Sequence, residues 1–153
     1  AYTTELQLSE EEKTAVDEGL KQFDRYIEVS NEVFSSGGEG AEKFDAVAKD
    51  GALLSAKEEA QGLETDGVTM TGEFKADQTK VFDVDLDISD ATAIPIINLH
   101  VCVPRDEYSY SDLQTSDSEA STNEFDTFEF ILAEYDEEWF VSEQYLWANE
   151  CDI

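Results

Sequence analysis

The stretch VFDVDLDISD, residues 81–90, alternates apolar and acidic side chains, and its interpretation decides the fold. This two-residue period is typical of a half-buried β-strand, which turns one face to the core and the other to water. The predicted core face comprises Phe82, Val84, Leu86 and Ile88, and the predicted solvent face comprises Asp83, Asp85 and Asp87.

The three aspartates also match the first half of a calcium-binding loop. Such a loop needs a glycine at its sixth position and a carboxylate at its twelfth. Those positions are occupied here by Ile88 and Ile94. We therefore predict a strand with a solvated acidic face, and we expect neither a metal site nor a cofactor.

The sequence before this strand predicts helices. Ser9 and Glu12 form a capping box at the start of the first helix. The glycine-rich segment 35–40 ends that helix, and two shorter helices are predicted over 41–50 and 52–64. The residues expected to face inward are Val16, Leu20, Phe23, Ile27, Val33 or Phe34, Phe44, Val47, Leu53 and Leu54.

From Gly67 onward the period of the apolar residues changes from helical to two. Five strands are predicted over 67–75, 79–88, 92–103, 124–136 and 136–148, with a polar loop over 104–123 and a tight turn around Asp136 to Glu138. Helices followed by an antiparallel meander predict an α+β fold. We expect a flexible N-terminal segment over 1–8 and a single domain over 9–153.

The net charge is −29, from 9 basic and 38 acidic residues. Such a surface repels nucleic acid and anionic lipid, so we expect no direct binding to either. Solubility, adaptation to high salt and mimicry of DNA are three competing explanations of the acidity. No apolar stretch is long enough to span a membrane. The chain begins at Ala1 rather than Met, which suggests that an upstream segment has been removed, and both a signal peptide and a lipid-anchored leader are left open.

Two cysteines, Cys102 and Cys151, lie far apart and belong to no CxxC motif, so a zinc site is disfavoured. Free thiols in the core and a disulfide both remain open, and we favour the disulfide. A disulfide would add about 4 kcal/mol of stability on the chain-entropy model and would indicate an oxidising compartment.

Catalytic candidates are few. His100 is the only histidine, and it shares a strand face with Asn98 and Cys102. A polar pair in an apolar strand could line a pocket, although a hydrogen-bonded structural histidine is the favoured interpretation. Glu129 lies among apolar residues and is the best candidate for a general acid or base. We assign no catalytic residue.

Three aromatic residues of the last strand, Trp139, Tyr145 and Trp147, are predicted to share one face. They could form the wall of a ligand pocket or an interaction patch. The ordinary core face of a strand packed on a helix is the favoured interpretation.

The order of these elements resembles the nuclear-transport-factor-2-like superfamily, which has a cone-shaped, cystatin-like α+β fold. More narrowly, the chain resembles secreted or lipid-anchored members from Gram-positive actinobacteria. The motifs that carry the resemblance are IEVSNEVFSSGG, VTMTGEF, HVCVPRD, EWFVSEQYLW and NEC. Pro104 and Arg105 depart from the pattern, because an acidic residue normally follows the cysteine strand sooner.

The resemblance implies N-terminal helices packed on a strongly curved antiparallel sheet of about five strands. It also implies a Cys102–Cys151 disulfide and a conical pocket between the sheet and the first helix. Enzymes of the superfamily place Asp, His and Tyr in that pocket. Only His100 is a candidate here, so the resemblance implies no reaction.

We therefore expect a non-catalytic binding or assembly module of the cell envelope, either secreted or lipid-anchored. Its partner would be a protein or a small apolar ligand, and a homodimer is left open. Two alternatives are a small isomerase, dehydratase or hydrolase with the same fold, and an acidic DNA mimic.

Overall fold

The first helix, α1, spans Glu10–Ser35 in the computed structural model, which describes residues 2–111 and 124–153. The predicted capping box is confirmed: the backbone N–H of Glu12 donates to Ser9 Oγ over 3.1 Å, and that of Ser9 donates to Glu12 Oε1 over 2.8 Å. Glu10, Glu11 and Glu12 also place negative charge at the positive end of the helix dipole.

The buried face of α1 is slightly rotated from the predicted one. Leu20 and Ile27 are only partly buried, and the helix contacts the sheet instead through small and aromatic residues. At Gly19, a Cβ would lie 3.0 Å from Ile97 Cδ1, so the absence of a side chain lets the helix approach the sheet closely. The buried residues are Val16, Gly19, Phe23, Tyr26, Ser30 and Val33.

The first of the two predicted short helices is a 3₁₀ helix, Ala41–Ala46, and the second is an α-helix, α2, Asp50–Asp66. Phe44 and Val47 are buried as predicted. The inward prediction for Leu54 is wrong, because its side chain is 62% exposed. α2 instead packs through small side chains, which allow it to lie close to its neighbours; its buried residues are Ala52, Ala56, Ala60 and Leu63.

The main sheet has five strands, as predicted, but it is mixed rather than antiparallel. Its strands in spatial order are β1 (Thr3–Thr4), β3 (Gln78–Asp85), β4 (Ile96–Pro104), β6 (Phe125–Tyr135) and β7 (Glu138–Ala148). The edge strand β1 pairs with β3 in parallel, and the other pairs are antiparallel. The segment predicted to be flexible, 1–8, thus contributes a strand.

A second, two-stranded antiparallel sheet consists of β2 (Met70–Gly72) and β5 (Tyr108–Tyr110). The strand predicted over 67–75 therefore exists but belongs to this small sheet rather than to the main one. The predicted loop over 104–123 is partly wrong, because it contains a 3₁₀ turn, Arg105–Glu107, and β5. Residues 112–123 of that predicted loop lie outside the described residues.

The tight connection between β6 and β7 is confirmed. Tyr135 pairs with Glu138, so the loop has two residues, Asp136 and Glu137. Both have positive φ, 51° and 68°, as a type I′ hairpin turn requires. β6 and β7 consequently pair along nearly their whole length.

A register shift between Val81 and Asp83 interrupts the alternation that the sequence predicts for β3. The extra residue of such a bulge reverses the face of the side chains that follow it. Val81 is fully buried, whereas Phe82 is 51% exposed, so the assignment of Phe82 to the helix-facing core is wrong. Ile88, assigned to the same face, lies beyond the end of β3 and is 64% exposed.

The two helices cover one face of the main sheet and the C-terminal segment contacts the other. The predicted disulfide is confirmed: Cys102 in β4 is bonded to Cys151, with a Cα–Cα distance of 5.3 Å. Thr127 Oγ1 donates to the carbonyl of Glu150 over 2.6 Å and accepts from the N–H of Asp152 over 2.8 Å. The last residues are thereby fixed against the face that the helices leave uncovered.

No helix in the described part of the chain is long and apolar enough to cross a membrane. Within those residues, no group of three or more metal-ligating side chains comes together either.

Candidate ligand-binding cavity

A cavity of about 330 Å³ lies between the two helices, the end of the main sheet and the small sheet. This volume is at the lower end of the range for small-molecule sites. α1 and α2 form one side, β6 and β7 form the opposite side, and β2 and β5 close the third. The lining residues are Tyr26, Ser30, Phe34, Ala52, Ser55, Ala56, Glu59, Met70, Phe74, Tyr108, Tyr110, Phe128, Gln144 and Leu146.

One side of the cavity is an aromatic wall centred on Phe74. Its ring packs edge-on against Tyr108 and Phe128, with centroid distances of 5.4 and 5.5 Å. Asn31 of α1 holds the Phe74 backbone through two hydrogen bonds: its amide donates to the carbonyl over 3.0 Å, and its oxygen accepts from the N–H over 2.8 Å. The aromatic wall is therefore positioned by the first helix.

Two tyrosine hydroxyls supply the polar contacts. Tyr26 donates to Oε1 of Gln144 over 2.7 Å, which ties α1 to β7 across the cavity. Tyr110 donates to Oε1 of Glu59 over 3.0 Å, which ties the small sheet to α2. Both bonds bridge elements that are distant in sequence, so they fix the separation of the cavity walls.

Glu59 is the only formally charged side chain among the lining residues of the described chain. Its carboxylate influences the tyrosines on both sides. Burial raises the pKa of Tyr26 and of Tyr110, and in each case the Glu59 charge is the next largest cause. For Tyr108, burial again raises the pKa, with smaller contributions from Asp126 and Glu59. A negative potential therefore extends into the cavity.

The cavity opens to solvent on the side where α2 faces the end of β7. Ser55 and Glu59, which lie one turn apart on α2, are exposed, and so is Leu146, whose side chain is 57% exposed. Other lining residues, among them Tyr26 and Met70, are buried. The most exposed part of the lining is therefore contributed by α2 and by the end of β7.

The sequence-predicted residues His100, Glu129 and Asn98 do not line this cavity, because their side chains lie on the other face of the sheet. His100 Nε2 is 3.3 Å from Glu129 Oε2. The His100 ring stacks on Phe82 at 4.6 Å and packs against Trp147 at 4.7 Å, and it is 4% exposed. This is a buried, hydrogen-bonded histidine between two aromatic rings. Asn98 Oδ1 is buried without a hydrogen-bond partner.

The prediction that Trp139, Tyr145 and Trp147 share one face is wrong. The β6–β7 pairing shifts register twice, so the alternation along β7 is reset. Trp139 is 4% exposed and lies on the helix side, whereas Trp147, which contacts His100, and Tyr145, which pairs with Glu129, lie on the opposite side. Trp139 lines a separate, shallower depression with Leu86, Ile88, Pro95, Glu134 and residues of α1.

The residues that build the cavity were not recognised from the sequence. Tyr108 and Tyr110 fall in the predicted loop, although the alternating YSY could have indicated a short strand. Glu59 is one of 38 acidic residues, and nothing in its local sequence distinguishes it. Phe74 and Phe128 were assigned to strands, but no local pattern shows that their rings meet.

No protein-family model matches the chain, and no curated protein matches it. Among solved structures, the chain is similar to the intermembrane space region of the chloroplast protein ARC6, with a TM-score of 0.60 and 13% sequence identity. The match covers 94% of this chain and all of the ARC6 region. At this identity the likeness concerns the fold alone.

Proposed function

We propose that the chain is a non-catalytic binding module of the extracytoplasmic side of the cell, and that its cavity holds a small, mostly apolar ligand. The observation that carries the proposal is the partly open cavity of about 330 Å³, whose lining combines aromatic and aliphatic side chains with a smaller polar part, contributed by Ser30, Ser55, Glu59, Gln144 and the tyrosine hydroxyls. Such a composition is typical of small-molecule sites, in which apolar surface supplies affinity and a few polar groups set orientation.

The extracytoplasmic location is supported by the disulfide between Cys102 and Cys151. Disulfides persist in oxidising compartments and are rare in the cytosol. The resemblance to secreted and lipid-anchored proteins points in the same direction. The proposal also includes secretion or a lipid anchor, which cell fractionation would test. It leaves a homodimer open, which native mass spectrometry would test.

The enzyme alternative has less support. It required His100 or Glu129 to act as a base in a water-excluding pocket, and both side chains lie across the sheet from the cavity. The cavity itself offers one carboxylate, that of Glu59, which is exposed at the mouth and hydrogen-bonded to Tyr110. A general base or acid that works by burial would need a drier environment.

The DNA-mimic alternative is also less supported. A cytosolic mimic would keep its two cysteines reduced, whereas they are bonded to each other here. Acidity alone does not distinguish mimicry from solubility, because both produce the same net charge.

Binding of N-phenyl-1-naphthylamine, a neutral dye whose fluorescence rises in apolar surroundings, would test the proposal. We expect saturable binding with one site per chain. Ser55→Trp places a large side chain at the cavity mouth on an exposed helix position and should weaken dye binding at least about tenfold. Glu58→Trp is the matched control, since Glu58 is exposed on the same helix and does not line the cavity.

Equal weakening by both variants, or dye binding that never saturates, would contradict a site in this cavity. Circular dichroism and thermal unfolding of both variants would establish that each retains the fold. Turnover of a screened compound that depends on His100 would overturn the non-catalytic part of the proposal.

A further inference from the structure

The cavity combines many aromatic rings with a single negative charge and no positive one. Among its lining residues in the described chain there is no Lys, Arg or His. Six rings border it, those of Tyr26, Phe34, Phe74, Tyr108, Tyr110 and Phe128. The face of an aromatic ring carries negative potential and attracts cations, and aromatic cages recognise quaternary ammonium groups in this way.

The position of Glu59 strengthens this preference. Its carboxylate lies at the mouth, and Tyr110 donates to it over 3.0 Å, which fixes the carboxylate beside an aromatic ring of the wall. Burial is the main cause of the raised pKa of Tyr26, Tyr108 and Tyr110, and the Glu59 charge raises each of these pKa values further. A carboxylate and neighbouring aromatic rings together favour a positively charged group and disfavour a negative one.

We propose that the ligand of this cavity is an organic cation, with an apolar body and one quaternary ammonium or protonated amine group. The cationic group lies near Glu59 and the Tyr110 ring, and the apolar body extends inward to Phe74 and Phe128. This inference rests on the proposed function and adds the chemical class of the ligand to it.

The charge of the whole chain favours the approach of such a ligand, but it would favour any cation. A net charge of −29 raises the local concentration of cations around the protein without selecting a site. The experiment must therefore distinguish the effect of the Glu59 charge on binding from the effect of the other acidic residues of the chain.

Benzyltrimethylammonium and its neutral carbon isostere neopentylbenzene differ by one charge at nearly constant shape. Both would compete with N-phenyl-1-naphthylamine in buffer of about 0.15 M ionic strength, where a Debye length of about 8 Å limits long-range attraction. We expect the cation to bind the wild-type chain at least about tenfold more tightly than the isostere.

Glu59→Gln should remove most of the preference for benzyltrimethylammonium over neopentylbenzene, whereas Glu58→Gln should leave this preference unchanged. The two variants lose the same formal charge from neighbouring exposed positions of α2, and only Glu59 lines the cavity. A fall in the cation's affinity of about tenfold in the first variant, with unchanged affinity for the isostere, supports the inference.

Equal affinities of the wild type for cation and isostere would overturn this inference and leave the proposed function standing. Equal losses in Glu59→Gln and Glu58→Gln would also overturn it, because the preference would then come from the overall charge. Failure of both compounds and of the dye to bind would contradict the proposed function itself.

Discussion

Two glycines in the helical part of the chain illustrate opposite reasons for having no side chain. Gly38 has a φ of +96°, and a Cβ there would lie 2.0 Å from the backbone oxygen of Ala60. Gly62 lies inside α2, and a Cβ there would meet nothing within 4 Å. Gly38 is required both by the backbone conformation and by the lack of space for a side chain. Gly62 is required by neither, and glycine there only lowers the stability of the helix.

We therefore predict opposite effects of the same substitution at the two positions. Gly38→Ala should lower the free energy of unfolding by more than about 1 kcal/mol, because the loop after α1 must move away from α2. Gly62→Ala should raise it by roughly 0.5–1 kcal/mol. Urea unfolding of the two variants beside the wild type measures both changes, and a loss of stability in Gly62→Ala would contradict the packing described for α2.

Tyr135 leads to a prediction about alkaline pH. Its hydroxyl donates to Asp50 Oδ2 over 2.6 Å, and Ser142 donates to the same oxygen over 2.8 Å. Burial, followed by the hydrogen bond to Asp50, raises the pKa of Tyr135 from 10.0 to about 12. The folded state thus holds this proton more tightly than the unfolded state does, and the resulting stabilisation is complete below pH 10 and lost as the pH rises through 12.

Tyr135→Phe removes this proton and should reduce the pH dependence. We expect the unfolding free energy of the wild type to fall more steeply between pH 10 and pH 12 than that of the variant. Urea midpoints at several pH values in this range would measure the difference. Parallel curves for the two proteins would show that the Tyr135–Asp50 contact does not contribute.

At the scale of elements, local signals predicted the helices and the β6–β7 hairpin because the cause of each lies within a few residues. Ser9 and Glu12 cap α1, and Asp136 and Glu137 form the turn. The β-bulges were not predictable in the same way. A bulge depends on which residue of the neighbouring strand stands opposite, and this information is absent from the bulged strand itself.

The candidate cavity depends on partners that are distant in sequence, which is why the sequence did not indicate it. Tyr110 meets Glu59 across 51 positions, and Tyr26 meets Gln144 across 118. The small sheet that closes the cavity pairs Met70 with Tyr110, from two segments assigned to a main-sheet strand and to a loop. His100 was singled out for its chemistry, and the topology places it on the opposite face.

The C-terminal segment has no regular structure, and the Cys102–Cys151 disulfide and hydrogen bonds to Thr127 hold it on the sheet. Cys151 is exposed and Cys102 is fully buried, and their sequence separation is 49. Cys151→Ser should lower the free energy of unfolding by up to about 4 kcal/mol on the chain-entropy model. Reduction of the wild type should produce the same loss, and reduction of the variant should produce none, as guanidinium unfolding with and without reductant would show.

The same variant tests how the segment protects the outer face of the sheet. Hydrogen bonds from Thr127 to Glu150 and from Asp152 to Thr127 hold the segment in place. Without the disulfide, the most protected amides of α1 should exchange faster only by the factor that corresponds to the loss of global stability, whereas amides in 149–153 should lose their protection completely. An effect in 149–153 no larger than that in α1 would mean that the bond stabilises the whole fold with no local role.

At the scale of the whole molecule, the charge of −29 must oppose folding, because the compact state brings like charges together. The ion pairs found among the described residues use few of the acidic groups. In most of these ion pairs, such as Lys57–Asp45 and Lys75–Glu107, both side chains are exposed to solvent. Each pair therefore offsets little of the repulsion between the acidic residues. Added salt should therefore stabilise the protein by screening the acidic residues from one another.

The dependence on salt concentration distinguishes solubility from adaptation to high salt as the reason for the acidity. The Debye length falls from about 30 Å at 0.01 M to about 3 Å at 1 M, so screening is nearly complete below molar salt. We expect the urea midpoint to rise with sodium chloride up to a few tenths molar and then to level off. Sodium sulfate at equal ionic strength should give the same initial rise, because screening depends on ionic strength and not on which salt supplies it. A midpoint that keeps rising to several molar chloride would contradict simple screening and favour a protein adapted to high salt.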